Sequence, residues 1–372
     1  MLGSMNTDNR HTGNNHTDNS HTDNSHTDNS HTDNSHTDNS HTDNQHDQFS
    51  NCEHTGNMDI AEQASLLLLL EGSNDPAKTC EQVERCGSAL ALLYSGQTTY
   101  STHDQQSLLP CADWEYSISW DDRIYAMQTK ISNWMGQGMN FAAFFDSEYP
   151  PQLLTIRERP PFITWRGRID RNDANGIAII GTRHPSSSGL STARSLAFQL
   201  SREGITIISG LAEGIDRAAH QGALEAGGRS VGVIGTGLLH TYPLSNAKLQ
   251  SQVAAAGAVI SQFLPDTLPN KKNFPIRNAT MSGYAGATLV VEASWRSGAR
   301  LQARLATQHG RPLFFAKQML DEEWIQQYLP LPGVHVIKDA DDVIEALSRY
   351  RIDGDNLVDS DNLEWDGVEG TI

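Results

Sequence analysis

A chain of 372 residues is long enough for two domains and a well-buried core, yet its hydrophobic fraction of 37% is low for a globular protein. The net charge of −18 argues at first against a nucleic-acid partner, and with no run of eighteen apolar residues no transmembrane helix is expected. Four cysteines, Cys52, Cys80, Cys86 and Cys111, show neither zinc-site spacing nor a disulfide-dense pattern, which suits a reducing cytoplasm.

The charge is unevenly spread. Residues 141–320 carry 19 Lys and Arg against 11 Asp and Glu, whereas residues 1–140 carry 5 against 20 and residues 321–372 carry 3 against 14. A basic middle is flanked by acidic segments, so the bulk charge is a poor guide to what the middle attracts. Residues 1–57 are dominated by the pentapeptide His-Thr-Asp-Asn-Ser, with histidines at 16, 21, 26, 31, 36 and 41. Little there is apolar, and a five-residue period matches neither helix nor strand, so a solvated tail is expected. Spaced histidines also allow weak binding of a transition metal. Residues 59–135 have helical apolar spacing at Ile60 to Glu71 and Cys80 to Tyr94, broken by Gly72-Ser73-Asn74-Asp75-Pro76, and read as a small helical domain. Its patch Leu66 to Leu70 is too short and too internal to be a signal peptide. Phe141 to Asp170 is a proline-bearing connector that ends in a strand and a turn at Gly167.

From Gly176 the pattern changes. GIAIIGTR (Gly176 to Arg183), ITIISG (Ile205 to Gly210), SVGVIGTG (Ser230 to Gly237) and ATLVVEA (Ala287 to Ala293) are Ile- and Val-rich runs that stop at small or polar residues. Such runs are strands buried on both faces, and the segments between them, Ser191 to Glu203 and Ile215 to Ala226, have helical spacing. The alternation predicts a doubly wound, mostly parallel α/β sheet, whose ligands bind at the carboxyl ends of the strands. Helices at Asp321 to Tyr328 and Asp339 to Tyr350 around a strand at Val334 to Ile337 complete a domain over residues 140–350, and residues 351–372 form an acidic tail.

The strand ends carry the conspicuous residues. Gly181-Thr182-Arg183 combines close backbone approach, a hydroxyl and a guanidinium fork suited to phosphate, and leads to a Ser-rich turn opening a helix whose free N–H groups favour an anion. Ser209-Gly210 and Gly214 flank a tight loop, with Asp216 in the first turn of the next helix and His220 four residues on. That pair reads either as acid–base chemistry or as a cap with a buried hydrogen bond. Gly235 and Gly237 close the third strand, and Asn246 follows the next turn. The dinucleotide fingerprint is missing, which argues against a nicotinamide cofactor. Lys271-Lys272-Asn273-Phe274-Pro275-Ile276-Arg277-Asn278 mixes cations, a ring and an amide, as single-strand binders do, or as a solvated face does. Glu292, Ser297 and Arg304 complete the ring around the switch point.

Together these stretches resemble the DNA-processing protein A family (DprA, also called Smf). The carrying residues are Tyr149-Pro150, Pro160-Pro161, Arg166-Gly167, Gly181-Thr182-Arg183, Ser209-Gly210-Leu211-Ala212, Gly214-Ile215-Asp216, Ala219-His220, Tyr242-Pro243 with Asn246, Phe274-Pro275, Arg277-Asn278, Val290-Val291-Glu292-Ala293, Ser297-Gly298 and Ala303-Arg304. The resemblance implies an extended Rossmann-like domain behind a small helical, SAM-like one. It further implies a homodimer that binds single-stranded DNA in a positive pocket and helps load a RecA-type recombinase in natural transformation or recombination, without catalysis, cofactor or metal, and away from membranes. On it, Arg183 holds a phosphate, Gly181, Ser209 and Gly210 shape the pocket, and Lys271, Lys272 and Arg277 line the strand's path, while Thr182, Gly214, Gly235, Gly237, Phe274, Asn278, Ser297 and Arg304 complete the set that binds single-stranded DNA or its phosphates. Asp216, His220, Asn246 and Glu292 are structural. Ala279 stands where the family has a second arginine, Lys317-Gln318-Met319 replaces its Gly-rich loops, and an acidic tail stands where many members have a winged helix. That tail is a candidate competitor of DNA for the basic face. The alternative is a nucleotide sensor or a nucleoside-monophosphate phosphoribohydrolase on the same fold, with Asp216, His220 or Glu292 as its chemistry.

Overall fold

The computed structural model describes residues 47–96 and 119–350. The pentapeptide repeats and the acidic tail lie outside these residues. Four helices come first: α1 (Asp47–Glu71), α2 (Pro76–Cys86), α3 (Ala89–Ser95) and α4 (Trp120–Gly136). α1 begins inside the span read from sequence as tail. The single helix expected over Cys80 to Tyr94 is two, because Gly87 takes a left-handed backbone (φ +76°) that ends α2, and Ser88 restarts the chain as the cap of α3. The first turn of α3 is also held from outside: the Glu62 carboxylate of α1 accepts from Ser88 Oγ at 2.6 Å and from the N–H groups of Ala89 and Leu90 at 2.7 and 3.1 Å.

The rest is one nine-stranded sheet in the order β1-β2-β6-β5-β4-β3-β7-β8-β9. The strands are β1 (Asn140–Ala143), β2 (Phe162–Gly167), β3 (Ile177–Gly181), β4 (Ile207–Ser209), β5 (Ser230–Val233), β6 (Ala258–Ser261), β7 (Ala287–Glu292), β8 (Leu313–Ala316) and β9 (Val334–Ile337). β6 through β9 run parallel, and β1 and β2 add an antiparallel edge. The remaining helices are α5 (Ser187–Arg202), α6 (Ile215–Glu225), α7 (Ala247–Ala256), α8 (Asn273–Tyr284), α9 (Ala299–Gln308) and α10 (Ala340–Leu347). The fold is the expected α/β class: an extended Rossmann-like sheet preceded by a helical region.

Alternation along β3 shows why both faces had to be apolar. Ile177 and Ile179 enter one core with α5, α6 and α10, while Ala178 and Ile180 enter the other, which continues into α1–α4. Where a helix was expected over Asp321 to Tyr328, the chain makes short 3₁₀ turns at Lys317–Asp321 and Glu323–Ile325, because Trp324 is drawn inward to stack edge-on against Phe315.

The end of the sheet remote from β3's carboxyl end is tied by one buried carboxylate. Asp173, in the turn before β3, accepts from Arg229 Nε and Nη2 at 2.6 and 2.7 Å, from Tyr284 Oη at 2.6 Å and from Thr206 Oγ1 at 3.1 Å. Three strand starts and the end of α8 thereby meet at one charge-assisted cluster.

Candidate nucleic-acid interface

β3 and β7 are neighbours whose onward connections run to opposite sides of the sheet, β3 toward β4 and β7 toward β8. A crevice opens at such a switch point. Here it is a cavity of about 420 Å³, walled by Gly181 to His184 after β3, by Phe274 to Asn278 of α8 and by Arg296 to Ala299 after β7.

The first loop turns tightly. A Cβ at Gly181 would come within 2.5 Å of Ile215 Cγ1 and 2.6 Å of the Glu292 carbonyl, so only glycine fits there. Thr182 is fixed through its backbone: its N–H donates to Glu292 O at 2.7 Å, and its carbonyl accepts from Ile215 N at 3.2 Å. Its hydroxyl accepts from His184 N at 3.2 Å. Arg183 is thus thrust outward, exposed, with its guanidinium 5.3 Å from the Phe274 ring centroid.

The second loop is pinned from three sides. The Asp216 carboxylate accepts from Gly210 N at 3.1 Å and Ala212 N at 3.4 Å. Asn246 Nδ2 donates to the Leu211 and Ala212 carbonyls at 2.9 and 3.1 Å, and Gly214 takes φ +80° beneath the Thr182–Arg183 backbone. From below, Arg277 Nη1 donates to Gly210 O at 2.7 Å and to Val233 O at 2.5 Å. Arg277 is 5% exposed, so it forms the floor of the cavity and its guanidinium is bonded to carbonyls at the ends of β4 and β5. Burial pushes the Arg277 pKa down and the Asp216 pKa up, and each opposes that shift in the other.

Several sequence-selected residues serve packing in this geometry. Ser209 Oγ donates to Ile179 O at 2.6 Å and is buried. Gly235 seats Phe274, whose Cδ1 would lie 3.0 Å from a Cβ there, and Gly237 donates from its N–H to Thr267 O at 2.8 Å. Glu292 takes the position expected for an anion at the start of α5: its carboxylate accepts from Ser186 N at 2.9 Å and Ser186 Oγ at 2.7 Å. The free helix end read from the Ser-rich turn is therefore filled by the chain's own acid. Arg304 lies on α9 outside the cavity, and Asn278 and Ser297 line it. Lys271 and Lys272 are exposed immediately before α8.

Asp216 and His220 do not bond to each other. His220 is fully buried with Nδ1 2.8 Å from Ser230 Oγ, and burial pushes its pKa from 6.5 to about 3. It is neutral in the folded protein at pH 7. A depressed folded pKa contributes stability above the unfolded value and loses it as pH falls, at about 1.4 kcal/mol per unit for one proton. Urea titration at pH 7 and pH 5 is therefore expected to show roughly 2 kcal/mol less stability at pH 5. His220→Gln is expected to flatten that difference, and an unchanged pH dependence in the variant would refute the assignment.

Sequence reading missed Arg296 and His184 in the cavity wall, and Arg300, whose guanidinium lies 3.5 Å from the Trp295 ring centroid. Arg296 sits beside Ser297-Gly298 at the end of β7, where the strand-end rule that picked out Arg183 would also have found it. The cavity lining holds three arginines and one acid, Asp216. Among the described residues, no carboxylate within 4.0 Å pairs with Arg183, Arg296, Lys271 or Lys272. Nor do the described residues group ligands for a metal ion, and no helix of theirs is long and apolar enough to cross a membrane.

The family model described as DNA recombination-mediator protein A matches residues 140–348, more than half of the chain. The chain belongs to this family. The match to DNA recombination-mediator protein A takes in all nine strands and the whole cavity. The DNA processing protein DprA of Bacillus subtilis is 32% identical over 219 residues, covering 58% of this chain and 74% of that protein. Protein Smf of Synechocystis is 39% identical over 173 residues, covering 45% of this chain and 44% of its own, so the chain spans less than half of that relative. The solved structure of DNA processing protein A from Helicobacter pylori, described for its single-stranded DNA binding mode, superimposes with a TM-score of 0.50 and 26% identity, over 57% of this chain and 98% of that one.

Proposed function

We propose that this chain is a non-catalytic single-stranded DNA-binding protein that acts in DNA processing for transformation or recombination, in the cytoplasm, as a homodimer with a RecA-type recombinase as partner. The observation that carries the reading is the exposed, unpaired Arg183 set against the Phe274 ring at the mouth of a cationic crevice, with Lys271 and Lys272 exposed in the residues just before Phe274's helix. Cations that track a backbone and a ring that takes a base are the combination that single-strand binding needs. Membership of the recombination-mediator family and the likeness to the Helicobacter pylori protein support it. A hydrolase reading is disfavoured because its acids and base are committed: Asp216 to backbone N–H groups, His220 to Ser230 and Glu292 to Ser186.

The site roles follow from exposure. Arg183, Lys271 and Lys272 would contact phosphates, Phe274 a base, and Arg277 and Asp216 would hold the floor. Fluorescence anisotropy of a labelled thymidine oligonucleotide, titrated with salt, tests this. Wild type is expected to prefer single strands over duplex and to weaken as salt rises. Arg183→Ala is expected to lose affinity on the order of tenfold and to flatten the salt slope by about one, with an unchanged melting temperature. Equal binding by variant and wild type would sink the assignment of Arg183. Gel filtration with light scattering reads the dimer.

A further inference from the structure

A second exposed aromatic group, unused by the sequence reading, lies next in the chain to residues of the cavity wall. Trp295 lies in the loop after β7, between Ser294 and Arg296, both of which line the cavity. It is 59% exposed, although the Arg300 guanidinium covers one of its faces at 3.5 Å. The arrangement is built rather than incidental. Arg300 Nη1 donates to the Trp295 carbonyl at 3.2 Å, and the same guanidinium lies 5.8 Å from the ring of Trp324. Trp324 is 2% exposed and is anchored by its indole N–H to Ala293 O at 3.1 Å. A buried indole, a shared guanidinium and an outer indole thus link the core to the loop that carries Ser294 and Arg296.

An exposed indole leaves its apolar face in contact with water. Here one face is immobilised by a cation, so ordering it against a ligand costs little further entropy. The guanidinium adds to the ring's affinity for a flat π-system, and unpaired Arg296 stands next in the chain to neutralise a phosphate. A planar group joined to an anion, repeated along a chain, is what this pairing of ring and cation fits.

We propose that Trp295 is a second base-stacking platform, so that a single strand crosses the cavity with one base on Phe274 and another on Trp295, the phosphate between them facing Arg183 and Arg296. The proposal rests on the single-strand reading above and extends it to the loop after β7. Stacking on an open indole is tolerant of sequence and insensitive to salt, whereas the phosphate contacts are neither.

The test separates these. Trp295→Ala, Trp295→Phe and Arg183→Ala are compared with wild type by anisotropy on a thymidine oligonucleotide and on an abasic oligonucleotide of equal length, melting temperatures being checked in parallel. Expected is a loss on the order of tenfold for Trp295→Ala on thymidine, with the salt slope unchanged. Trp295→Phe should recover most of that loss, and Trp295→Ala should match wild type on the abasic strand. The proposal is overturned, with the single-strand reading intact, if Trp295→Ala binds thymidine as wild type does while Arg183→Ala is weakened. It is also overturned if Trp295→Ala loses as much on the abasic strand, since that would place the ring against the backbone. If wild type itself binds no single strand, both readings fall together.

Discussion

Asp173→Ala is expected to lower the unfolding free energy by about 3–5 kcal/mol, the usual cost of removing one partner from a buried ion pair. Asp173 is fully buried and accepts four side-chain hydrogen bonds, two from Arg229 and one each from Tyr284 and Thr206. Its loss leaves the Arg229 guanidinium, half-buried against the strand starts, without a counter-ion, and two hydroxyl donors without an acceptor. Burial, the largest cause of the raised Tyr284 pKa, persists in the variant, so the hydroxyl stays a donor and cannot compensate. Asp173→Asn keeps the shape and half of the acceptors and should fall between the two. Because this cluster lies at the other end of the strands from the cavity, oligonucleotide affinity per folded molecule should not change. Urea denaturation with anisotropy on the same samples checks both parts. A loss under about 1 kcal/mol would mean that water replaces Asp173 without penalty.

Arg277→Met is expected to cost a similar 3–5 kcal/mol, for a different reason. The change strands Asp216 as a buried carboxylate and removes the donor from the Gly210 and Val233 carbonyls. The loop from Gly210 to Gly214, pinned between Asp216 and Asn246, then loses its floor. Adding Asp216→Asn should return part of the loss, so that the double variant is more stable than the sum of the singles predicts by 1 kcal/mol or more. This outcome separates a residue that holds the loop from one that grips a ligand. Arg183→Ala should weaken binding and leave the fold intact, whereas Arg277→Met should do the reverse to first order. Full additivity of the two changes, or a wild-type melting curve for Arg277→Met, would return Arg277 to the ligand-gripping group.

Much of the sheet was readable because parallel strands covered on both faces must be apolar without interruption. β3, β4, β5 and β7 each sit inside a run of Ile and Val that ends at a small or polar residue. β6 escaped notice because Ala258-Val259-Ile260-Ser261 is four residues long and follows an alanine-rich helix end, so composition marks no boundary. β1, Asn140-Phe141-Ala142-Ala143, is as short. The helix expected at Asp321 to Tyr328 failed for a tertiary reason: the inward pull on Trp324 overrides local spacing. In the crevice, sequence could locate the strand ends but not assign sides. Arg183, after a strand, and Arg277, in a basic run, both read as cations on the strand's path, and only the fold shows one exposed and one beneath the floor. Trp295 and Arg300 were invisible as a unit, since a stack depends on where Trp324 packs, 24 residues after Arg300.

The cap that Glu292 places on α5 decides what kind of ligand the crevice can reward. In sheets that hold mononucleotides, the first helix offers its bare amide end as a rigid cradle for one phosphate. Here a carboxylate already fills that end, so a lone phosphate is left with exposed cations alone and is expected to be held weakly. On the single-strand reading, grip would accumulate unit by unit along a polymer, each added nucleotide contributing a little. A free nucleotide is therefore expected to compete poorly with an oligonucleotide, which a competition titration by anisotropy would check.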